Sequence, residues 1–143
     1  MMKVILDTNV LLTSVSNQSK THAIFQHLLE GTLEIGVTTD ILLEYEEIFQ
    51  RRTNPFITGY VMRVMNELPN VHLITKYYFW SLIINDLDDN KFVDCAVAFN
   101  ADYIITNDKH FNVLKRIDFP KIKVINSLDF VDLLQQKDIQ VWI

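Results

Sequence analysis

Several things are scarce in this chain, and each scarcity removes a class of protein. One cysteine, Cys95, among 143 residues excludes an intramolecular disulfide, and its apolar setting reads as a buried structural thiol. Three glycines and three prolines leave little room for linkers or disorder. There is no Gly-rich phosphate loop, which excludes nucleotide binding of the P-loop type. The longest apolar runs, such as Phe79 to Ile84, fall far short of the roughly 20 residues that span a bilayer, so no membrane partner is expected. His22, His27, His72 and His110 show no metal-ligand spacing, so zinc is not expected. Met2-Lys3 runs straight into an apolar stretch without a small-residue cleavage site. The expectation is therefore a cytoplasmic protein without a signal peptide.

What remains is an ordinary globular composition, 49% hydrophobic and 22% charged, with formal net charge -5 and pI about 5.2. A large basic surface gripping nucleic acid without specificity is thereby disfavoured. A nucleic-acid substrate is not, because a bound cation reverses the sign of a carboxylate site locally. Basic residues are clustered at Arg51-Arg52, Lys109-His110, Lys115-Arg116, Lys121 and Lys123. Each cluster alone reads as a solvated face, with more weight on 109–123 because it follows Asp108 directly.

The periodicities alternate between short apolar runs and helical spacing. Strands are expected at 3–6, 33–38, 71–74, 103–106 and 124–125. Helices are expected at 10–15, 21–30 (stopped by Gly31), from a cap at Thr39 or Asp40 to about 51, 56–68, from the loop 86–90 to about 100, and from Ser127 to about 135. The aromatic-rich stretch 76–84 fits either strand or helix, and the alternating tail 139–143 reads as an edge strand. The Tyr77-Tyr78-Phe79-Trp80 run can stack bases, but core or interface packing is the preferred reading. Alternating strands and helices imply an α/β fold: three layers, α/β/α, around a central, mostly parallel sheet.

Acidic residues stand at the carboxyl ends of these strands. Asp7 ends the first. Glu44 lies in the helix after the second. Asp86, Asp88 and Asp89 precede the helix that starts near 90, and Asp108 follows the strand at 103–106. In an open α/β sheet these ends share one crevice, where converging carboxylates repel unless a cation joins them. A hard cation, Mg²⁺ or Mn²⁺, suits an all-oxygen cluster. The pattern points to a metal-dependent site handling phosphate. Singly, each segment has a plainer reading: Asp7-Thr8-Asn9 as a helix cap, the 86–89 acids as helix-dipole partners, Glu44 with Glu46 and Glu47 as a solvated face, and Thr106-Asn107-Asp108 as a turn.

Four segments in order resemble the PIN-domain ribonucleases: Val4-Ile5-Leu6-Asp7-Thr8-Asn9, Thr38-Thr39-Asp40-Ile41-Leu42-Leu43-Glu44, Asp86-Leu87-Asp88-Asp89-Asn90-Lys91, and Tyr103-Ile104-Ile105-Thr106-Asn107-Asp108. The resemblance spans nearly the whole chain as one PIN-like domain, 1–143, nearest to VapC-type toxins of bacterial toxin–antitoxin pairs. It implies an Mg²⁺- or Mn²⁺-dependent ribonuclease acting through Asp7, Glu44, Asp89 and Asp108. Asp86 and Asp94 compete with Asp89 for the third position; Asp89 is preferred and Asp94 kept as an auxiliary. Asn9 and Thr106 are expected to hydrogen-bond carboxylates, water or phosphate. Lys91, Lys109 and His110 are candidates for contacting the RNA backbone. A small antitoxin protein and a homodimer are expected partners beside RNA, the aromatic run and the Gln140-Val141-Trp142-Ile143 tail offering apolar surface for the dimer. Two other functions compete. One is a non-catalytic PIN-like module binding RNA or protein. The other is an Mg²⁺-dependent phosphatase using Asp7 as nucleophile, disfavoured because Asn9 stands where such enzymes carry a second aspartate.

Overall fold

The computed structural model describes residues 1–76, 78–84 and 86–142. Five parallel strands form one sheet: β1 (Met2–Leu6), β2 (Leu33–Val37), β3 (Val71–Leu73), β4 (Tyr103–Ile105) and β5 (Val124–Ile125), in the order β3-β2-β1-β4-β5. Six α-helices connect or follow them: α1 (Thr8–Ser14), α2 (His22–Glu30), α3 (Thr39–Arg52), α4 (Pro55–Glu67), α5 (Asn90–Phe99) and α6 (Ser127–Trp142). Two 3₁₀ segments, Leu87–Asp89 and Lys109–Arg116, complete the described elements. Val4, Ile5 and Leu6 are fully buried, as a parallel sheet covered on both faces requires.

Topology decides where a site can lie. The chain steps outward from β1 through β2 to β3, then returns to place β4 on the other side of β1. Right-handed crossovers put α1 to α4 over one face and α5 with the Lys109–Arg116 segment over the other. The reversal opens a crevice between the carboxyl ends of β1 and β4, where the Asp7 N–H donates to the Ile105 carbonyl at 3.0 Å.

One close approach sets the distance of α5 from the sheet. A Cβ on Gly36 would stand 2.6 Å from a ring carbon of Phe99 and 2.9 Å from the Ile5 Cδ1. Gly36→Ala is therefore expected to lower unfolding stability by about 2 kcal/mol, the cost of overpacking a filled core, read as a lower urea midpoint with an unchanged slope. Cys95 is fully buried on α5, and burial pushes its thiol up to about 12, in line with an inert structural cysteine.

Several boundaries differ from the sequence reading. Thr38, not Thr39 or Asp40, stands at the N-cap of α3, its hydroxyl accepting from the Ile41 N–H at 3.4 Å; Asp40, in the first turn, accepts from the same N–H at 3.0 Å and pairs with Lys76 at 2.6 Å. The tail expected as an edge strand continues α6 to Trp142, because no Gly or Pro interrupts the chain after Ser127; Ile143 lies outside the described residues. The described part of 76–84 is neither strand nor helix. Side chains of α5 bind its backbone: Asn90 accepts from the Ile83 N–H and donates to its carbonyl, both at 2.9 Å, and Asp94 accepts from the Trp80 N–H at 3.0 Å. Core packing does not hold for Tyr78 and Phe79, which are exposed; Tyr77 lies outside the described residues.

Candidate metal centre

Asp7 follows β1 in extended conformation, and its carboxylate makes no cap to α1. It turns instead toward β4, where the Thr106 hydroxyl donates to Oδ2 at 2.6 Å. The same hydroxyl accepts from the Asp108 N–H at 3.0 Å. Thr106 thus ties together the ends of β1 and β4. Asn107 holds the loop from below: its side chain accepts from the Ser127 N–H and donates to the Ser127 hydroxyl, both at 3.0 Å. Asp108 caps the 3₁₀ segment, accepting from the His110 N–H at 2.9 Å.

The Leu87–Asp89 turn brings a second group of acids to the crevice. Asp86, Asp89, Asp108 and His110 each offer a ligand atom within 4.8 Å of one another. The His110 Nδ1 stands 3.4 Å from Asp108 and 3.8 Å from both Asp86 and Asp89. The Asp89 Oδ2 is buried and, among the described residues, has no hydrogen-bond partner. Burial, then the charges of Asp86, Asp108 and Asp7 and a hydrogen bond shared with the Asp108 side chain, push the Asp89 carboxyl up to about 8. Burial also raises Asp7, opposed by its hydrogen bonds to Thr106 and Thr8 and aided by the charges of Glu44 and Asp108. A buried carboxylate oxygen without a partner among like charges is one that a bound cation could satisfy. The oxygen-rich donor set fits Mg²⁺ or Mn²⁺.

Glu44 reaches the crevice from α3. The neighbouring Tyr45, fully buried, donates its hydroxyl to the Leu6 carbonyl at 2.5 Å and fixes the helix against the end of β1. The Thr8 hydroxyl donates to the Glu44 Oε2, and the Lys91 ammonium sits 2.7 Å from its Oε1. Glu47 behaves differently, forming an exposed pair with Arg51 one turn on. The solvated-face reading therefore fails for Glu44.

The structure thus gathers Asp86, Asp89, Asp108 and His110, with Asp7 linked through Thr106 and Glu44 through Thr8 and Lys91. It does not bring Asp94 there, because that carboxylate is spent on the Trp80 backbone. Asn9 is exposed, and its side chain makes no hydrogen bond among the described residues. Lys91 is not a free RNA contact: its side chain is 13% exposed, held by Glu44 and by the Asp88 carbonyl at 2.9 Å. Lys109 remains exposed. Thr8 was missed as a site residue, since Asp-Thr-Asn reads first as a cap; nothing local marks its partner 36 residues away. Lys91→Met is expected to lower kcat roughly 10- to 100-fold with the fold intact, as loss of a partner that orients a site carboxylate does. Steady-state kinetics on a short RNA checks this.

The model of the PIN domain family matches residues 3–110. VapBC2 from Rickettsia felis, solved bound to a DNA fragment from their promoter, superposes with TM-score 0.61 at 20% identity, over 87% of this chain and 98% of that one. The RRP44 PIN domain of T. brucei superposes with TM-score 0.54 at 14% identity, over 99% of this chain and 86% of that one. These likenesses are of fold. No curated protein sequence matches the chain.

Proposed function

Since the chain belongs to the PIN domain family, we propose that it is a divalent-cation-dependent ribonuclease hydrolysing RNA phosphodiesters at the β1/β4 crevice. The orphaned, buried Asp89 Oδ2 among Asp86, Asp108 and Asp7 carries this reading. Asp89 and Asp108, with Asp7 and Asp86 beside them, would hold Mg²⁺ or Mn²⁺. Such an ion activates water and neutralises charge on the transferring phosphoryl group. Thr106 keeps the Asp7 carboxylate aimed into the crevice. Glu44, clamped by Thr8 and Lys91, orients the attacking water through its remaining lone pairs. Lys109 and His110, at the mouth of the site, contact the RNA backbone.

The biological role we propose is that of a toxin restrained by a small antitoxin protein. The support is the likeness to VapBC2 over nearly all of that chain and the four ordered acidic segments. Regulated expression in a bacterial host tests the role: growth arrest is expected from the wild-type chain and not from Asp108→Asn, with relief by a small protein encoded beside it. Growth indifferent to the wild-type chain would leave a ribonuclease without the toxin role.

A further inference from the structure

The charge of this acidic protein is distributed very unevenly. Residues 109–123 carry five of its thirteen Lys and Arg residues and a single acid, Asp118. They run from the acid cluster down one flank. A 3₁₀ helix eclipses side chains three apart, so Lys109–Arg116 presents three stripes. Phe111 and Leu114 are buried. Lys109, Asn112 and Lys115 form an exposed stripe, and His110, Val113 and Arg116 form another. The second begins inside the acid cluster at His110 and reaches Arg116 about 12 Å further on, at the roughly 2 Å rise of such a helix. A hollow of about 440 Å³ is lined by Lys109, His110 and Arg116. A second hollow, also about 440 Å³, is lined by Lys115, Lys121 and Lys123 together with one acid, Asp118. Among the described residues none of Lys115, Arg116, Lys121 and Lys123 forms an ion pair.

An independent feature stands at the foot of this flank. Phe119, between Arg116 and Lys121, is 82% exposed. Its ring meets Trp80 edge-on at 6.0 Å, and Trp80 lies beside Tyr78 at 5.4 Å and 31°. Three aromatic rings from two distant segments thus meet at the surface, Tyr78 and Phe119 exposed and Trp80 half-buried, with Phe119 flanked in the chain by Arg116 and Lys121. A positive groove with exposed rings is the combination that holds single strands, the cations following phosphates and the rings stacking unpaired bases.

We propose that this flank binds a single-stranded RNA segment a few nucleotides away from the acid cluster, with Lys115, Arg116, Lys121 and Lys123 on phosphates and Phe119 and Trp80 stacking bases. The proposal deepens the ribonuclease reading and rests on it for RNA as ligand. It makes the enzyme selective for substrates with an unpaired tail on one side of the cut.

Binding can be measured without cleavage. A labelled 12-nucleotide single-stranded RNA is titrated with the full-length protein in EDTA by fluorescence anisotropy, over a salt series. Four phosphate contacts give a log–log salt slope of about -3, and the double variant Arg116→Ala/Lys121→Ala makes it shallower by about 1.4. Phe119→Ala weakens binding about 5- to 100-fold and leaves the slope unchanged. Arg116→Lys/Lys121→Arg, which keeps both charges, binds like wild type. Failure of the wild-type chain to bind, or binding indifferent to these variants, overturns the proposal. So does a duplex of the same length bound as tightly, or displacement of the RNA by polyglutamate as readily as by unlabelled RNA, which would mark a site for acidic protein segments. The same preparation is assayed for cleavage with Mg²⁺. Binding as described without cleavage removes the nuclease reading and leaves the flank standing; cleavage with binding unaffected by the variants does the reverse.

Discussion

Asp89→Asn is expected to make the protein more stable while sharply reducing its response to divalent cations. The Asp89 carboxyl, raised to about 8 by burial and by Asp86, Asp108 and Asp7, holds its proton in the folded chain over a pH range where the unfolded chain has lost it. Between its ordinary value and about 8 the unfolded state therefore binds fewer protons, and stability falls as pH rises through that window. Asp7 is raised too and contributes with the same sign. In EDTA the wild-type Tm should decline from pH 5 to pH 8. Asn at position 89 removes the main charge, so the variant should decline less and melt roughly 6 °C higher at pH 8, corresponding to about 2 kcal/mol for a buried, unpaired carboxylate. Mg²⁺ or Mn²⁺ should raise the wild-type Tm at pH 8 and raise the variant's much less, because the variant has lost one of the carboxylates that would hold the ion and most of the repulsion the ion would relieve. Scanning calorimetry reads all of this. A variant less stable than wild type in EDTA would mean that the Asp89 carboxylate is satisfied, and that no cation is called for.

Asp108→Asn is expected to lower kcat about 10³-fold with far less change in Tm. The backbone N–H of Asp108 keeps its bond to Thr106 whatever the side chain, and an amide oxygen can still accept from the His110 N–H. The loop therefore stays in place and only the charge is lost. Asp94→Asn is the contrasting variant. Its carboxylate binds the Trp80 N–H, a role an amide oxygen can fill, so activity should stay within a few-fold of wild type. Single-turnover cleavage of one RNA by the two variants compares them directly. Equal, severe losses would mean that the segment 78–84 takes part in the site.

These contrasts also mark what the sequence discloses. The β1 and β4 acids are legible because a strand ending in Asp7 and another leading to Asp108 have only one crevice to share once the strand order reverses. Asp89 is legible as one of three candidates. Choosing it over Asp94 needs the fact that Asp94 is engaged by the backbone of an irregular segment, and such a segment leaves no periodicity to read. The same lack of periodicity hides the exposure of Tyr78 and Phe79: aromatic residues in a row look like core, and only the tethers from Asn90 and Asp94 show how the segment is fastened to α5. Glu44 stands in a run of acids with no local mark. Its distinction comes from Thr8 and Lys91, neither adjacent to it in the chain. The Lys109–Arg116 helix went unseen because a 3₁₀ stripe has period three, and its buried pair, Phe111 and Leu114, is too short a pattern to declare itself. The tail was misread as a strand because alternation over five residues does not outweigh an uninterrupted helix running into it.

The most direct measurement is cleavage of a mixed panel of single-stranded and structured RNAs by the purified protein, with Mg²⁺, with Mn²⁺ and with EDTA, beside Asp7→Asn. The account predicts cutting with either cation, none in EDTA, and none above background from the variant, whose Thr106 hydroxyl can still donate to the amide oxygen and hold β1 to β4. Cutting that persists in EDTA, or wild type and variant behaving alike, would contradict it.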